Sequence, residues 1–327
     1  MTKENTYNFF KTAAKNLWSF GKIMALILLS IALFGEENTL PAVCIAVAWL
    51  MFPESNLNLK PWVFTINTFF LFIFGAISGQ AIHLNILGAG FIWFATTIVI
   101  LLLSMAPLLY QPSIPFLLNF VFCQAVPSTP GHFADRIICL AVGSAFLCIV
   151  TLVSWKKKGW SQGTSGFRQQ IEEGLTQRSY ILRMATGLAI AMIITTAMHM
   201  HKPLWISIVV MSLTELEAEM MHLKIKNRLL GTAIGIIFFT IIIGILLPPS
   251  LAPAFILLMG YVGFFFSDYR TKSIFNAISA LNASLVIFDH DTAIADRIGC
   301  LFIGMAIVLT LYGLSKLRHH IVRKNNI

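Results

Sequence analysis

Apolar residues in this chain gather into long runs instead of alternating with polar ones. Six runs cover 23–35, 40–52, 62–79, 86–109, 114–127 and 136–155. A polar stretch follows, then six more at 181–198, 203–214, 229–247, 251–267, 273–288 and 297–315. Such runs predict helices, because a strand with open edges leaves backbone groups unsatisfied in lipid. Runs two, five, eight and eleven are short for a straight span, which needs about 20 residues, and they hold corresponding places in the two sets. Paired short helices of this kind point to a transporter's binding site. Residues 7–18 put Phe10, Ala14, Leu17 and Trp18 on one helical face and predict an interfacial helix before the first span.

Composition turns these runs into membrane spans. Of 327 residues 57% are hydrophobic and 11% charged, with mean hydropathy +0.80; soluble domains carry about 25% charged residues. The expectation is an all-α polytopic membrane protein with about twelve transmembrane helices. The formal charge of +9 would suit nucleic acid, but its placement argues otherwise. With a cytoplasmic N-terminus and every run crossing, 20 of the 23 Lys and Arg fall inside, leaving only Arg136, Lys202 and Arg297 outside. The charge therefore reads as an orientation signal, with both termini cytoplasmic and no nucleic-acid partner.

The two sets of runs repeat one another. "FADRIICLAVG" at 133–143 returns as "IADRIGCLFIG" at 294–304, identical at seven of eleven positions. Lys22 answers to Arg183, Pro41 to Pro203, Tyr110 to Tyr269 and Asn119 to Asn282. Both halves begin inside, so they read as parallel six-helix repeats. The predicted organisation is an N-terminal cytoplasmic or interfacial segment (1–22), a first repeat (23–155), a cytoplasmic linker (156–179), a second repeat (180–316) and a cytoplasmic tail (317–327). No cleavable signal is evident, so the first run is expected to remain as a span.

The second half also carries a recognisable order of residues. Trp205 sits in "KPLWISIVVMSL", "RLLGTAIG" supplies Arg228, Gly231, Thr232 and Gly235, and "DRIGCLFIG" closes the half. This order resembles the FUSC (fusaric-acid-resistance-like) membrane module of the aromatic acid exporter family, well over 180–316 and in the first half mainly through the repeat. The third run, "PWVFTINTFFLFIFGAISG", lacks the Arg-x-x-Gly-Thr-x-x-Gly signature. The resemblance implies a proton-driven exporter of aromatic carboxylates or related compounds in the bacterial inner membrane. It also implies a periplasmic membrane-fusion adaptor of the HlyD type as partner. Many relatives add a sizeable cytoplasmic domain, where this chain has a short linker and tail, so it reads either as a stripped-down transporter or as part of a larger machine.

Several residues are candidates for that chemistry, each with a plainer role beside it. Asn119 and Gln124 in run five and Asn282 in run eleven could line a transport path or make ordinary interhelical hydrogen bonds. Arg136 and Arg297 break the positive-inside pattern; each is an interfacial anchor or a landing point for a carboxylate. Arg228 could meet an anionic substrate or snorkel. Asp135 and Asp296 suit helix caps or a gate, and both are candidates for proton coupling. Asp268 is a proton relay or an ion-pair partner of Arg270 or Lys272, and Glu215 is a proton site or part of a solvated turn. Gly231 and Gly235, with Thr232 between them, allow close helix approach.

Other chemistries find no support in the residues. The five cysteines lie in apolar runs without Cys-x-x-Cys spacing, and the histidines form no ligand set, so neither a metal nor a cofactor is expected. The spans contain no Gly-x-Ser-x-Gly or His-Glu-x-x-His, so the chain is not expected to be an enzyme. The leading expectation is proton-coupled efflux of a small amphipathic anion. A passive channel, or a non-transporting subunit of an envelope complex, is the alternative. A homo-oligomer would be a natural assembly within the lipid bilayer.

Overall fold

The computed structural model describes residues 3–200, 202–248, 251–266, 268–284 and 290–325. Among them the regular structure is helical, apart from one isolated bridge between Leu59 and Ser165. The helices are α1 (Lys3–Phe34), α2 (Thr39–Met51), α3 (Pro61–Gly79), α4 (Ile86–Ser104), α5 (Ile114–Ala125), α6 (Phe133–Lys157) and α7 (Phe167–Thr176). They continue with α8 (Arg178–Ala197), α9 (Leu204–Leu213), α10 (Ala218–Phe239), α11 (Ala252–Val262), α12 (Tyr269–Ser284) and α13 (His290–Asn325). Each of the twelve apolar runs overlaps one of these helices, and α7 falls in the polar stretch between the two sets.

Length separates the helices into two groups. Among the described residues seven stretches are long and apolar enough to cross a membrane: Phe10–Phe34, Pro61–His83, Ile86–Ser104, Phe133–Lys157, Arg178–Ala197, Ala218–Leu246 and Thr292–Leu317. Helices α2, α5, α9, α11 and α12 have 13, 12, 10, 11 and 16 residues. At about 1.5 Å per residue they rise about 15–24 Å, short of the roughly 30 Å hydrocarbon core. Four of these five are the runs that the sequence marks as short. The fifth, α11, is the tenth run, which gives way to a 3-10 turn at Gly263–Phe265.

The interfacial helix expected over residues 7–18 is not a separate element. It is the first part of α1, which continues unbroken into the first span. No proline falls between Trp18 and Ile23, and Gly21, where a side chain would meet nothing, does not end the helix.

The chain divides into two compact units, which cut across the two six-run halves. One combines Met1–Lys22 with Glu215–Met305; the other combines Ile23–Thr214 with Ala306–Ile327. In the larger unit α3 lies along α5, and Phe52, Phe64, Phe72, Phe116 and Trp155 pack around them as a buried aromatic core. The linker is tied down there. Lys158 reaches Glu54 at 2.7 Å, the Trp62 and Phe167 rings meet at 5.5 Å, and a side chain on Gly174 would press on Leu102. In the smaller unit α10 lies along α12, Phe239, Leu281 and Ala293 form a buried cluster, and the Tyr261 hydroxyl donates to the Ala13 carbonyl at 3.1 Å. Large apolar side chains such as Leu87, Phe91 and Ile149 face outward, as lipid-facing positions require.

Candidate functional site

Two glycines set the geometry of α10 against α12. A Cβ on Gly231 would fall 2.7 Å from the Arg270 carbonyl oxygen and from the Ser273 Cβ; one on Gly235 would fall 2.7 Å from the Ala277 Cβ. The missing side chains let the helices approach to backbone contact. The contacts advance together along both helices, so α10 and α12 run in the same direction. Thr232, between the glycines, is buried.

On α10, Lys224, Arg228, Gly231 and Gly235 follow one another at spacings of four, three and four residues, which puts them on one face. Arg228 is only 4% exposed, and one of its terminal nitrogens donates to the Tyr269 hydroxyl at 3.3 Å. Tyr269 opens α12. Its ring lies under the Lys224 ammonium, 5.1 Å from nitrogen to ring centre, and its carbonyl accepts from the Ser273 hydroxyl at 2.8 Å. Lys224 in turn makes an ion pair with Glu215, with side chains 25% and 19% exposed. A continuous series therefore leads from a partly exposed ion pair, through an aromatic ring, to a buried guanidinium.

Arg297, on α13, brings a second buried guanidinium to this place. Ala293, one turn before it, packs with Phe239 and Leu281 at the far ends of α10 and α12. Asp296 precedes Arg297 in the sequence.

The larger unit holds the same helix pairing with different chemistry. Gly75 meets Asn119 and Phe120, and Gly79 meets Cys123 and Gln124, so α3 and α5 also run parallel with glycines between them. Three residues before Gly75, where the other pair has Arg228, stands Phe72, whose ring packs on Phe116 of α5 at 4.8 Å. By these contacts the α12 residues opposite Gly231 are Ser273 and Ile274, not Asn282, the partner that sequence alignment gave to Asn119. The side chain of Asn282 lies outside the described residues.

The remaining candidates have local explanations. Arg136 is 1% exposed and donates to the Val126 carbonyl (2.6 Å), the Glu37 carbonyl (2.8 Å) and Asn38 Oδ1 (3.4 Å). It clamps the chain between α1 and α2 to the end of α5. Asp135 lies 3.2 Å from His132 in an exposed pair. Asn119 donates to the Phe72 carbonyl at 2.9 Å. Gln124 donates weakly to Thr196 at 3.5 Å, and its own carbonyl oxygen has no partner among the described residues. Asp268 accepts the Thr271 amide at 2.8 Å, the geometry of a helix cap at the start of α12. That hydrogen bond, with the Thr271 hydroxyl and the Lys272 charge, holds its carboxyl below the usual value of 3.8.

Sequence reasoning singled out neither Tyr269 nor Lys224 as functional. A signal was present in the four-residue step from Lys224 to Arg228, which aligns two cations above the glycines. Among the described residues no group of His, Cys, Asp or Glu could hold a metal, and all five cysteines are free and buried.

Comparison with known proteins adds one finding. Residues 190–311 match the family profile described as fusaric acid resistance protein-like. That stretch contains α9 to α12 and the buried part of α13. No curated protein and no solved structure matches the chain.

Proposed function

On the premise that residues 190–311 form a fusaric acid resistance protein-like domain, a match that suggests membrane transport, we propose that this multi-pass membrane protein exports small organic anions. Aromatic carboxylates and related amphipathic compounds are the proposed substrates, and the bacterial inner membrane the proposed location. One observation carries the reading: two guanidiniums, those of Arg228 and Arg297, are buried inside the matched stretch. A charge within a span is costly, by about 2.5–3.5 kcal/mol on insertion scales, and such residues mark ion pathways. A carboxylate would neutralise a buried guanidinium, which can grip it with paired N–H donors.

The charge distribution orients this site. The Glu215–Lys224 end of α10 belongs to the side rich in Lys and Arg, so anions would enter past that pair from the cytoplasm. Asp296, beside Arg297, is the coupling carboxylate this reading favours. A periplasmic adaptor of the HlyD type is the proposed partner, and the two parallel repeats and a homo-oligomer belong to the same proposal. Passive anion conduction is the second reading. It draws support from the engagement of Glu215 in an ion pair and of Asp268 in a helix cap, which leaves neither carboxylate poised as a relay.

Inverted membrane vesicles separate the two. Under an imposed proton gradient, labelled benzoate should accumulate above equilibrium and leak back when the gradient is collapsed. Equilibration that ignores the gradient would identify a passive channel. No movement above empty vesicles, with an adaptor present and a panel of acids tried, would contradict transport.

A further inference from the structure

We propose that Tyr269 is a displaceable stand-in for the transported anion: its hydroxyl occupies an acceptor position at Arg228 that an organic carboxylate takes over on binding. The proposal rests on the reading of Arg228 as the anion contact and adds a gating residue to it. It starts from the hydrogen bond itself. At 3.3 Å it is long, whereas a guanidinium–carboxylate bond, with both partners charged, settles at about 2.7–2.9 Å. A phenol also offers one oxygen where a carboxylate offers two. The tyrosine therefore gives a buried cation an acceptor without binding it tightly.

The surroundings fit an exchangeable group. Tyr269 is the first residue of α12, so its side chain can swing without disturbing the helix behind it, which Asp268 caps separately. It stands between the partly exposed Glu215–Lys224 pair and the buried Arg228, on the line an anion would follow inward. When the hydroxyl moves aside the ring moves with it, and the Lys224 ammonium, still paired with Glu215, is opened to the incoming carboxylate. Packing alone does not call for this polar pair. In the larger unit the corresponding glycine-spaced helices close with Phe72 against Phe116.

The test uses the full chain in proteoliposomes, with benzoate as probe and neutral benzamide as control. Tyr269→Phe keeps the ring and deletes only the competing hydroxyl. KM for benzoate should fall about 3- to 10-fold, the equivalent of losing one competing hydrogen bond, with kcat changed less and benzamide unaffected. In an Arg228→Gln background the same substitution should have no effect, because there is no guanidinium left to compete for. Benzoate-dependent shifts in unfolding temperature of the purified protein read binding independently of transport.

An unchanged KM in Tyr269→Phe, with binding that still depends on Arg228, would overturn displacement and leave the anion site standing. A raised KM would make Tyr269 a direct substrate contact and also overturn the proposal. Neither binding nor transport of benzoate by wild type would overturn both this inference and the function beneath it.

Discussion

The tight pairing of α10 with α12 is open to a single-methyl test. In Gly231→Ala the new Cβ would lie 2.7 Å from a backbone carbonyl oxygen and 2.7 Å from the Ser273 Cβ. Neither neighbour is the free end of a flexible chain, so the helices must separate. Overpacking of this kind costs about 1–3 kcal/mol. Alanine recovers about 1 kcal/mol of helix propensity over glycine, so net destabilisation should fall within about 0–2 kcal/mol, centred near 1. Gly299→Ala is the matched control on α13, because a Cβ there meets nothing within 4 Å; it should stabilise by up to about 1 kcal/mol. Equilibrium unfolding in graded detergent, followed by tryptophan fluorescence, would show the two variants moving in opposite directions. If Gly231→Ala proves as stable as Gly299→Ala, the close approach of α10 and α12, and with it the placement of Arg228 beside Tyr269, is wrong.

Two further outcomes are expected. Arg136→Gln should orphan the Val126 and Glu37 carbonyls, at about 1–3 kcal/mol each; a variant that unfolds like wild type would contradict the clamp. Asp268 has a lowered pKa, so its contribution to α12 is complete above its unfolded value near 3.8 and is lost as pH falls through the lower folded value. Amide exchange at Thr271 should therefore lose protection selectively at acid pH, and Asp268→Asn, an equally good cap, should abolish that pH dependence while leaving transport intact. A gradient-coupled rate abolished by Asp268→Asn would restore the relay role.

Much of the fold was legible because the bilayer leaves the chain few options. Each apolar run became a helix, since its backbone groups have no water to turn to. The short runs also showed in advance, because length is a local property. What the sequence hid depends on distant partners. Arg136 reads in the sequence as an anchor or a carboxylate contact; its three acceptors, 10 to 99 positions away, show only in the structure. Residues 7–18 looked like a separate element because polarity, unlike a proline, does not show where a helix stops. The glycine spacing announces close packing but not its partner: the repeat sets Asn282 against Asn119, whereas the glycine contacts give Ser273 the place on α12 that Asn119 holds on α5. Tyr269 escaped notice as a site residue because its role comes from Lys224 and Arg228 on another helix.

The central claim is that a buried arginine pair conducts organic anions. Its most direct measurement is the initial rate of labelled benzoate entry into inverted vesicles for wild type and Arg228→Gln, at matched levels of inserted protein. Loss of a charge-assisted contact worth about 1.5–3 kcal/mol predicts a fall of roughly 10- to 100-fold. Equal rates in the two, or rates no higher than those of empty vesicles, would contradict the account.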